Sequence, residues 1–467
     1  MNDMTHPHAG KLYRQIYARV RRSIADGQLQ PGDRLPSARA YAQELGVARG
    51  TVDLAYAILA GEGYIETNGR AGTRVAHGVA RMIAVADAPA VPAQPNATFQ
   101  HGMLPLAPGV PAFDLFPRKV WTQLVRRHVR GLGRSELTYP DPQGSLKLRE
   151  AVAAYLGLSR GVTCTANEIV ITGGFQSAVG LVCQAMLPAG GKAWIEDPGY
   201  TRIRRALKEI GACPVEIPVD EEGLDVAAGI ARAPNARCAI VAPAHQFPMG
   251  VAMSLSRRLQ LLDWAGRADA WIMEDDFDGE FRYQGRPLPA LKSLDRSGRV
   301  FYTGTFSKTL FPGLRLGYLV VPPSELARFR DLMQYVDGGR SALEQAVTAE
   351  FLSEGHFARH IKKMRNAYRS RRAALAMALA ARFGPGTRIE QGAGGLHLLL
   401  HVEGGLGTLS GMAWNSGKAL GAIPMRLLTD LPSLRDALLV GFANVAERQA
   451  PQMAEQLHAI VTAARTG

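Results

Sequence analysis

The sequence predicts an α/β protein in two parts, a small helical module closed by a β-hairpin and a large domain built on a mostly parallel sheet. Three observations carry this. Apolar residues recur at helical spacing up to Leu59 and are interrupted by glycine turns. From about Pro111 onward, short apolar runs alternate with amphipathic helical stretches, the pattern of buried strands covered by helices on both faces. At 467 residues the chain also exceeds one ordinary core, so more than one domain is expected.

The elements of the first part follow in order. Leu12, Ile16, Val20 and Ile24 give one apolar helix face before a turn at Gln30-Pro31-Gly32-Asp33. Ser37 is placed to cap a second helix carrying Ala38, Tyr41, Ala42 and Leu45, which Gly46 stops. A third helix is predicted from about Ala48 to Leu59, burying Val52, Ala55, Tyr56 and Leu59 and ended by Gly61 and Gly63. Helix, tight glycine turn and helix are the parts of a helix-turn-helix. Asn68-Gly69 then joins two extended runs, Tyr64–Thr67 and Arg70–Val75, as a hairpin or wing, because both turn residues tolerate positive φ. We read residues 1–76 as this module and 77–108 as an Ala/Pro-rich linker stiffened by its prolines.

Residues 109–467 form the large domain, with a larger part to about 340 and a smaller α+β part from about 341. Candidate strands are Glu168–Thr172, Ala193–Glu196, Cys238–Val241, Trp271–Glu274, Val300–Tyr302 and Leu316–Val321. A long helix is predicted over Phe357–Phe383, followed by the apolar run Gly395–Val402.

Composition narrows the function. No run of eighteen apolar residues occurs, so no membrane span is expected, and the start Met-Asn-Asp-Met-Thr-His-Pro-His has no apolar signal core, which predicts a cytoplasmic protein. Cys164, Cys183, Cys213 and Cys238 stand far apart without a Cys-x-x-Cys pair, which predicts buried free thiols and no metal site. The net charge is +13 overall. Only +3 falls in residues 1–76, where ten basic residues face seven acidic ones, a modest surplus that suits a module acting in pairs.

The run Leu35-Pro36-Ser37-Ala38-Arg39-Ala40-Tyr41-Ala42, then Leu45-Gly46-Val47-Ala48-Arg49-Gly50-Thr51-Val52, then Glu62-Gly63-Tyr64-Ile65, resembles the GntR family of winged-helix regulators almost end to end. The resemblance implies that Arg39, Arg49, Gly50 and Thr51 face DNA and that Gly69, Arg70, Gly72 and Thr73 place the wing. A helix entering the major groove reads bases from its N-terminal residues, and an arginine there can donate two hydrogen bonds to guanine. Ser37 and the helix N-termini are suited to hold phosphates. Many relatives have serine where Ala48 stands, so a side-chain cap on the recognition helix is missing here.

Thr303-Gly304-Thr305-Phe306-Ser307-Lys308 follows a candidate strand and Arg315 lies a short loop further on. With Thr172-Gly173-Gly174-Phe175-Gln176, Glu196-Asp197-Pro198-Gly199-Tyr200 and Met273-Glu274-Asp275-Asp276 in chain order, the region from about Phe113 to Glu447 resembles fold-type-I pyridoxal 5'-phosphate enzymes of the aspartate aminotransferase family. The resemblance implies that Lys308 forms a Schiff base with the cofactor. Asp275 would pair with its pyridine nitrogen and Tyr200 would stack on its ring. Ser307, Arg315 and the turn Gly174, Phe175 and Gln176 would hold the phosphate, a dianion favoured at a helix start. Tyr139 resembles a tyrosine that reaches the phosphate of the other subunit, which implies a homodimer. Arg202 matches an effector-binding arginine, with Arg426 a weaker candidate, and His245 and Gln246 fall where relatives line the cofactor pocket. Two positions depart from the pattern. Phe277 stands where relatives commonly have tyrosine, removing a hydrogen bond of about 1 kcal/mol. Phe442 aligns with a substrate-carboxylate arginine of many aminotransferases.

A GntR-type module followed by an aminotransferase-like domain is the arrangement of the MocR/GabR subfamily, which the whole chain resembles. This implies a transcription regulator rather than an enzyme, with room for a residual half-reaction. Its partners would be a double-stranded DNA operator and either the cofactor itself or a small amine or amino acid that reacts at Lys308. Two alternatives stay open from the residues alone: an aminotransferase with an attached DNA-binding domain, and a regulator whose large domain serves only for dimerisation.

Overall fold

The computed structural model describes residues 9–67, 72–78, 104–134, 136–285, 288–336, 338–407 and 420–466. The chain divides into two compact units, Met1–Pro95 and Asn96–Gly467. Asn68, Gly69, Arg70 and most of the expected linker lie outside the described residues.

In the first unit, α1 (Ala9–Ala25), α2 (Ala38–Leu45) and α3 (Arg49–Gly61) precede an antiparallel pair, β1 (Ile65–Thr67) and β2 (Thr73–Val75), in the register Ile65 to Val75. Ile16, Val20 and Ile24 are buried as predicted, but Leu12 is 37% exposed. The reason is angular: a four-residue step overshoots one helical turn by about 40°, so a strict every-fourth pattern drifts off its face. Tyr13 and Tyr17 pack against the core in its place. The Ser37 hydroxyl accepts from the Ala40 N–H at 3.2 Å, and Gly46 at φ +64° ends α2. Ala48 makes no side-chain cap to α3. Val52, Ala55, Tyr56 and Leu59 are buried, and the Tyr56 hydroxyl donates to the Pro36 carbonyl at 3.1 Å, tying α3 to the start of α2.

The second unit is built on an eight-stranded sheet of order β3-β10-β9-β8-β7-β4-β5-β6. These strands are β3 (Ile169–Thr172), β4 (Lys192–Asp197), β5 (Cys213–Asp220), β6 (Gly223–Leu224), β7 (Cys238–Val241), β8 (Trp271–Asp276), β9 (Val300–Thr305) and β10 (Gly317–Val320). The pairs from β5 through β4, β7 and β8 to β9 are parallel. β10 runs antiparallel to both β3 and β9, and β6 antiparallel to β5. All six candidate strands are present. β5 carries two prolines and is only half buried, so no apolar run announces it.

Apolar side chains cover both sheet faces. Ile195, Ile240 and Met273 meet helix Phe175–Met186 through Ala178 and Val182, while Trp194, Ala239 and Ile272 face helix Leu255–Arg267 through Leu261 and Trp264. A smaller antiparallel sheet follows, β11 (Arg388–Glu390), β12 (His397–His401), β14 (Ala437–Gly441) and β13 (Ile423–Pro424), in that spatial order. It packs on helices His356–Phe383 and Ala450–Thr466. Cys183 and Cys238 are buried, Cys164 is half buried, and Cys213, expected inside, is exposed at the start of β5. No helix among the described residues is long and apolar enough to cross a membrane.

Candidate functional site

Parallel strands open a crevice beyond their C-terminal ends, where loops rather than strands supply the side chains. Here that crevice is a cavity of about 700 Å³ in the second unit. Phe175, Gln176, Tyr200, Arg202, Asp275, Ser307, Lys308 and Arg315 all line it, so eight residues singled out in sequence come together on one wall or another. Gly174, at φ +101°, begins helix Phe175–Met186, and a Cβ on Gly317 would stand 2.9 Å from its Cα. A close approach of two backbones explains two glycines here.

Lys308 Nζ donates to the Gly109 carbonyl at 2.7 Å. Burial pulls its pKa below the usual lysine value, while Asp278 and then Asp275 pull it back up. Asp275 is half-buried near the end of β8, and its Oδ1, shielded from solvent, has no hydrogen-bond partner among the described residues. Burial, with help from Asp276, Asp278 and Glu196, pushes its carboxyl pKa well up. A carboxylate left so is costly unless a cationic or donating group meets it, which fits a protonated ring nitrogen. Tyr200 stands 6.2 Å from the Phe175 ring and 6.1 Å from that of Phe247. Arg315 adopts φ +51°, a conformation uncommon outside glycine, and such backbone strain concentrates at ligand sites. The Ser307 N–H donates to Thr305 Oγ1 at 3.1 Å. Arg315 and a loop of amides at the start of helix Phe175–Met186 suit a phosphate.

Tyr139, expected to serve the other subunit, is 95% exposed and does not line its own chain's cavity. Other expectations are corrected. His245 and Gln246 lie behind its wall. His245 bonds to Asp278, and the Gln246 amide donates to Glu196, the Pro198 carbonyl and the Phe247 carbonyl. Phe442 is fully buried against Tyr283 and Tyr368, so its apolar nature answers to the core and not to the cavity. Arg426 donates to the Gly407 carbonyl and is also absent from the lining. Phe277 does line it.

Sequence reasoning missed Glu196, Thr305 and His397, which line the cavity, and Asp278 just behind it. Burial raises Glu196 to about 7 and lowers His397 to about 4. Glu196 stood beside the quoted Tyr200 motif and Asp278 within the acidic run after β8; nothing in their spacing separated them from solvated charges.

In the first unit, Arg39, Arg49 and Gly50 are exposed and Thr51 is half buried at the start of α3. Gly72 has φ +84°, and a Cβ there would meet the Arg34 guanidinium at 3.1 Å. Thr73 opens β2, where its carbonyl accepts from the Leu35 N–H at 2.9 Å, while Arg74 donates to the Gly32 carbonyl at 2.8 Å. Arg34, not singled out in sequence, thus sits under the wing.

The family description "Bacterial regulatory proteins, gntR family" matches residues 12–75, and "Aminotransferase class I and II" matches residues 101–405. The chain is 37% identical over 373 residues to the probable rhizopine catabolism regulatory protein MocR of Rhizobium meliloti, spanning 77% of this chain and 75% of that protein. It is 33% identical over 386 residues to the HTH-type pyridoxine biosynthesis transcriptional regulator PdxR of Corynebacterium glutamicum, spanning 83% and 82%. Among solved structures, kynurenine aminotransferase of Pyrococcus horikoshii in complex with PMP matches with a TM-score of 0.70 and 26% identity, over 80% of this chain and 95% of that one. A DNA-reading fold and an aminotransferase fold in one chain, with such relatives along most of its length, assign it to the MocR/GabR subfamily of GntR-type transcription regulators.

Proposed function

We propose that this regulator binds pyridoxal 5'-phosphate in the 700 Å³ cavity and answers to the cofactor or to an amine that reacts at Lys308. The observation that carries this is Asp275, a carboxylate with one shielded and unmet oxygen, in the same cavity as Lys308 and Arg315.

Lys308 would hold the cofactor through its ε-amine and Asp275 would keep the ring nitrogen protonated. Tyr200 would stack on the ring, and Gly174, Phe175, Gln176, Ser307 and Arg315 would hold the phosphate. When bound, the group supplies an aldehyde carbon that captures amines and a ring that withdraws electrons from them. Arg202 lines the cavity two residues after Tyr200 and would meet a carboxylate on an amino-acid effector. We take the DNA-reading module as residues 1–76, the linker as 77–108 and the effector domain as 109–467. Ser37, Arg39, Arg49, Gly50, Thr51, Arg70, Gly72 and Thr73 would make its operator contacts.

A homodimer is part of this reading. Its support is Tyr139, which is 95% exposed and outside its own chain's cavity while the resemblance has it reach a partner's phosphate. Tyr139 of the partner subunit would then complete the phosphate site. Regulation, not turnover, is the role we assign, because the two sequence relatives named above, matched over 75% and 82% of their lengths, are regulators; cytoplasmic location follows from that role. The bound ligand acts only through different affinities for two arrangements of the DNA-reading modules. The test is binding of purified protein to DNA from its own gene neighbourhood, titrated with and without the cofactor. Saturable binding that shifts with cofactor supports the proposal, and no saturable binding in either state removes it.

A further inference from the structure

His245 and Asp278 form a buried pair. His245 Nδ1 lies 3.0 and 3.2 Å from the two carboxylate oxygens of Asp278, and the two side chains are 7% and 1% exposed. The imidazole is seated on backbone: a Cβ on Gly395 would stand 2.0 Å from its Cε1, and one on Gly250 would stand 3.4 Å from its Nε2. Gly395 also has φ +81°, so this cradle admits no other residue without strain. Beside the pair is a void of about 20 Å³ lined by Arg160, Asp278, Gly279 and Gly395, room for about one water.

On its other side the pair adjoins the large cavity. The His245 ring is 6.0 Å from that of Phe277 and 5.4 Å from that of His397, and both of those rings line the cavity. Four influences act on the charge of Lys308: burial and Arg202 oppose it, while Asp278, ahead of Asp275, favours it. Asp278 itself is faced by His245, His397, Asp275 and Tyr283. A buried carboxylate is costly without a hydrogen-bond partner, and His245 Nδ1 is the ring atom placed to meet Asp278.

We propose that His245 and Asp278 are positioning residues for Lys308, with His245 holding Asp278 as a second counter-ion beside Asp275, so that the pair sets the pH at which the lysine amine is free to react. The inference rests on Lys308 being the reactive amine of the proposed function. In that reaction the neutral amine adds to an aldehyde carbon and water leaves, so a proton held on Nζ blocks it.

The experiment uses unloaded, full-length protein treated with formaldehyde and cyanoborohydride, with methylation of Lys308 followed by peptide mass spectrometry against pH. Asp278→Asn, nearly isosteric, is expected to move the labelling midpoint down by about one pH unit, tenfold in proton affinity. His245→Phe moves it the same way, and His245→Asn, whose amide replaces the Nδ1 donor, restores most of the shift. The double variant His245→Phe/Asp278→Asn moves no further than Asp278→Asn alone. An unmoved midpoint in Asp278→Asn, or additive shifts in the double variant, overturns the proposal. Titrating pyridoxal 5'-phosphate into the same proteins, followed by absorption, separates the two ideas. Shifted labelling in a protein that never gains a cofactor band keeps the pair's role and removes the cofactor, whereas a band with unmoved labelling does the reverse.

Discussion

Arg49 Nε lies 3.3 Å from Asp53 Oδ2, one turn further along α3, with the two side chains 69% and 50% exposed. The arginine proposed to read DNA is therefore already engaged by a carboxylate that DNA would have to displace. Exposed helix pairs of this kind are weak, about 0.3–0.5 kcal/mol, so the displacement costs little. Asp53→Asn is expected to tighten operator binding by roughly two- to fivefold, through the lost pair and the lost repulsion of phosphate. Arg49→Ala should weaken it by about 1–3 kcal/mol, the worth of a good bidentate base contact. Fluorescence anisotropy on operator DNA at fixed salt measures both, and equal affinities across the three proteins would remove Arg49 from the interface.

Asp275→Asn should lower pyridoxal 5'-phosphate affinity by about 1.5–3 kcal/mol, the range for a hydrogen bond to a charged group, and Lys308→Ala should abolish the absorption of lysine-bound cofactor outright. Spectroscopic titration reads both, and a Lys308→Ala protein that keeps the band would place the covalent bond elsewhere.

Burial holds Glu196 at about 7, against about 4.3 in an unfolded chain. Between these values Glu196 in the folded protein keeps a proton that the unfolded chain releases, so its contribution to stability falls as pH rises from about 4 to 7 and levels off above. Glu196→Gln should flatten part of that slope in the unloaded protein. Urea midpoints taken across this range check it, and an unchanged slope contradicts the assignment.

Leu59 is fully buried where α3 meets the rest of the first unit's core. Leu59→Ala should destabilise that unit by about 2–5 kcal/mol through lost burial and a cavity. Residues 1–95 give a compact unit of their own, so thermal unfolding followed with the full chain should show one transition moving and the other holding still. A single unmoved transition would argue against the placement of Leu59.

Much of this was legible because the relevant signals are local. The helices of the first unit follow from apolar spacing and from Ser37 and Gly46 as stops, and the eight cavity residues from short motifs at strand ends. What was lost depended on distant neighbours. Glu196 and Asp278 are acids in polar runs, and what sets them apart is contact with residues far off in sequence, Ala242 and Gln246 for Glu196 and His245 for Asp278. Phe442 was assigned to a binding position by alignment, yet its ring answers to Tyr283 and Tyr368, each far away in sequence. Leu12 shows the opposite error, a regular pattern taken at face value although a helix does not repeat in whole residues.

β10 turns back beside β9, pairing Gly317 with Thr305, so Ser307, Lys308 and Arg315 all sit on the one short stretch that joins these two strands. In the proposed complex, tether and anchor would share a single piece of backbone, clamped at both ends by the sheet. Pulling on either would then displace the other, and a change at the amine would be felt as a change of grip at the anion without any longer route through the molecule.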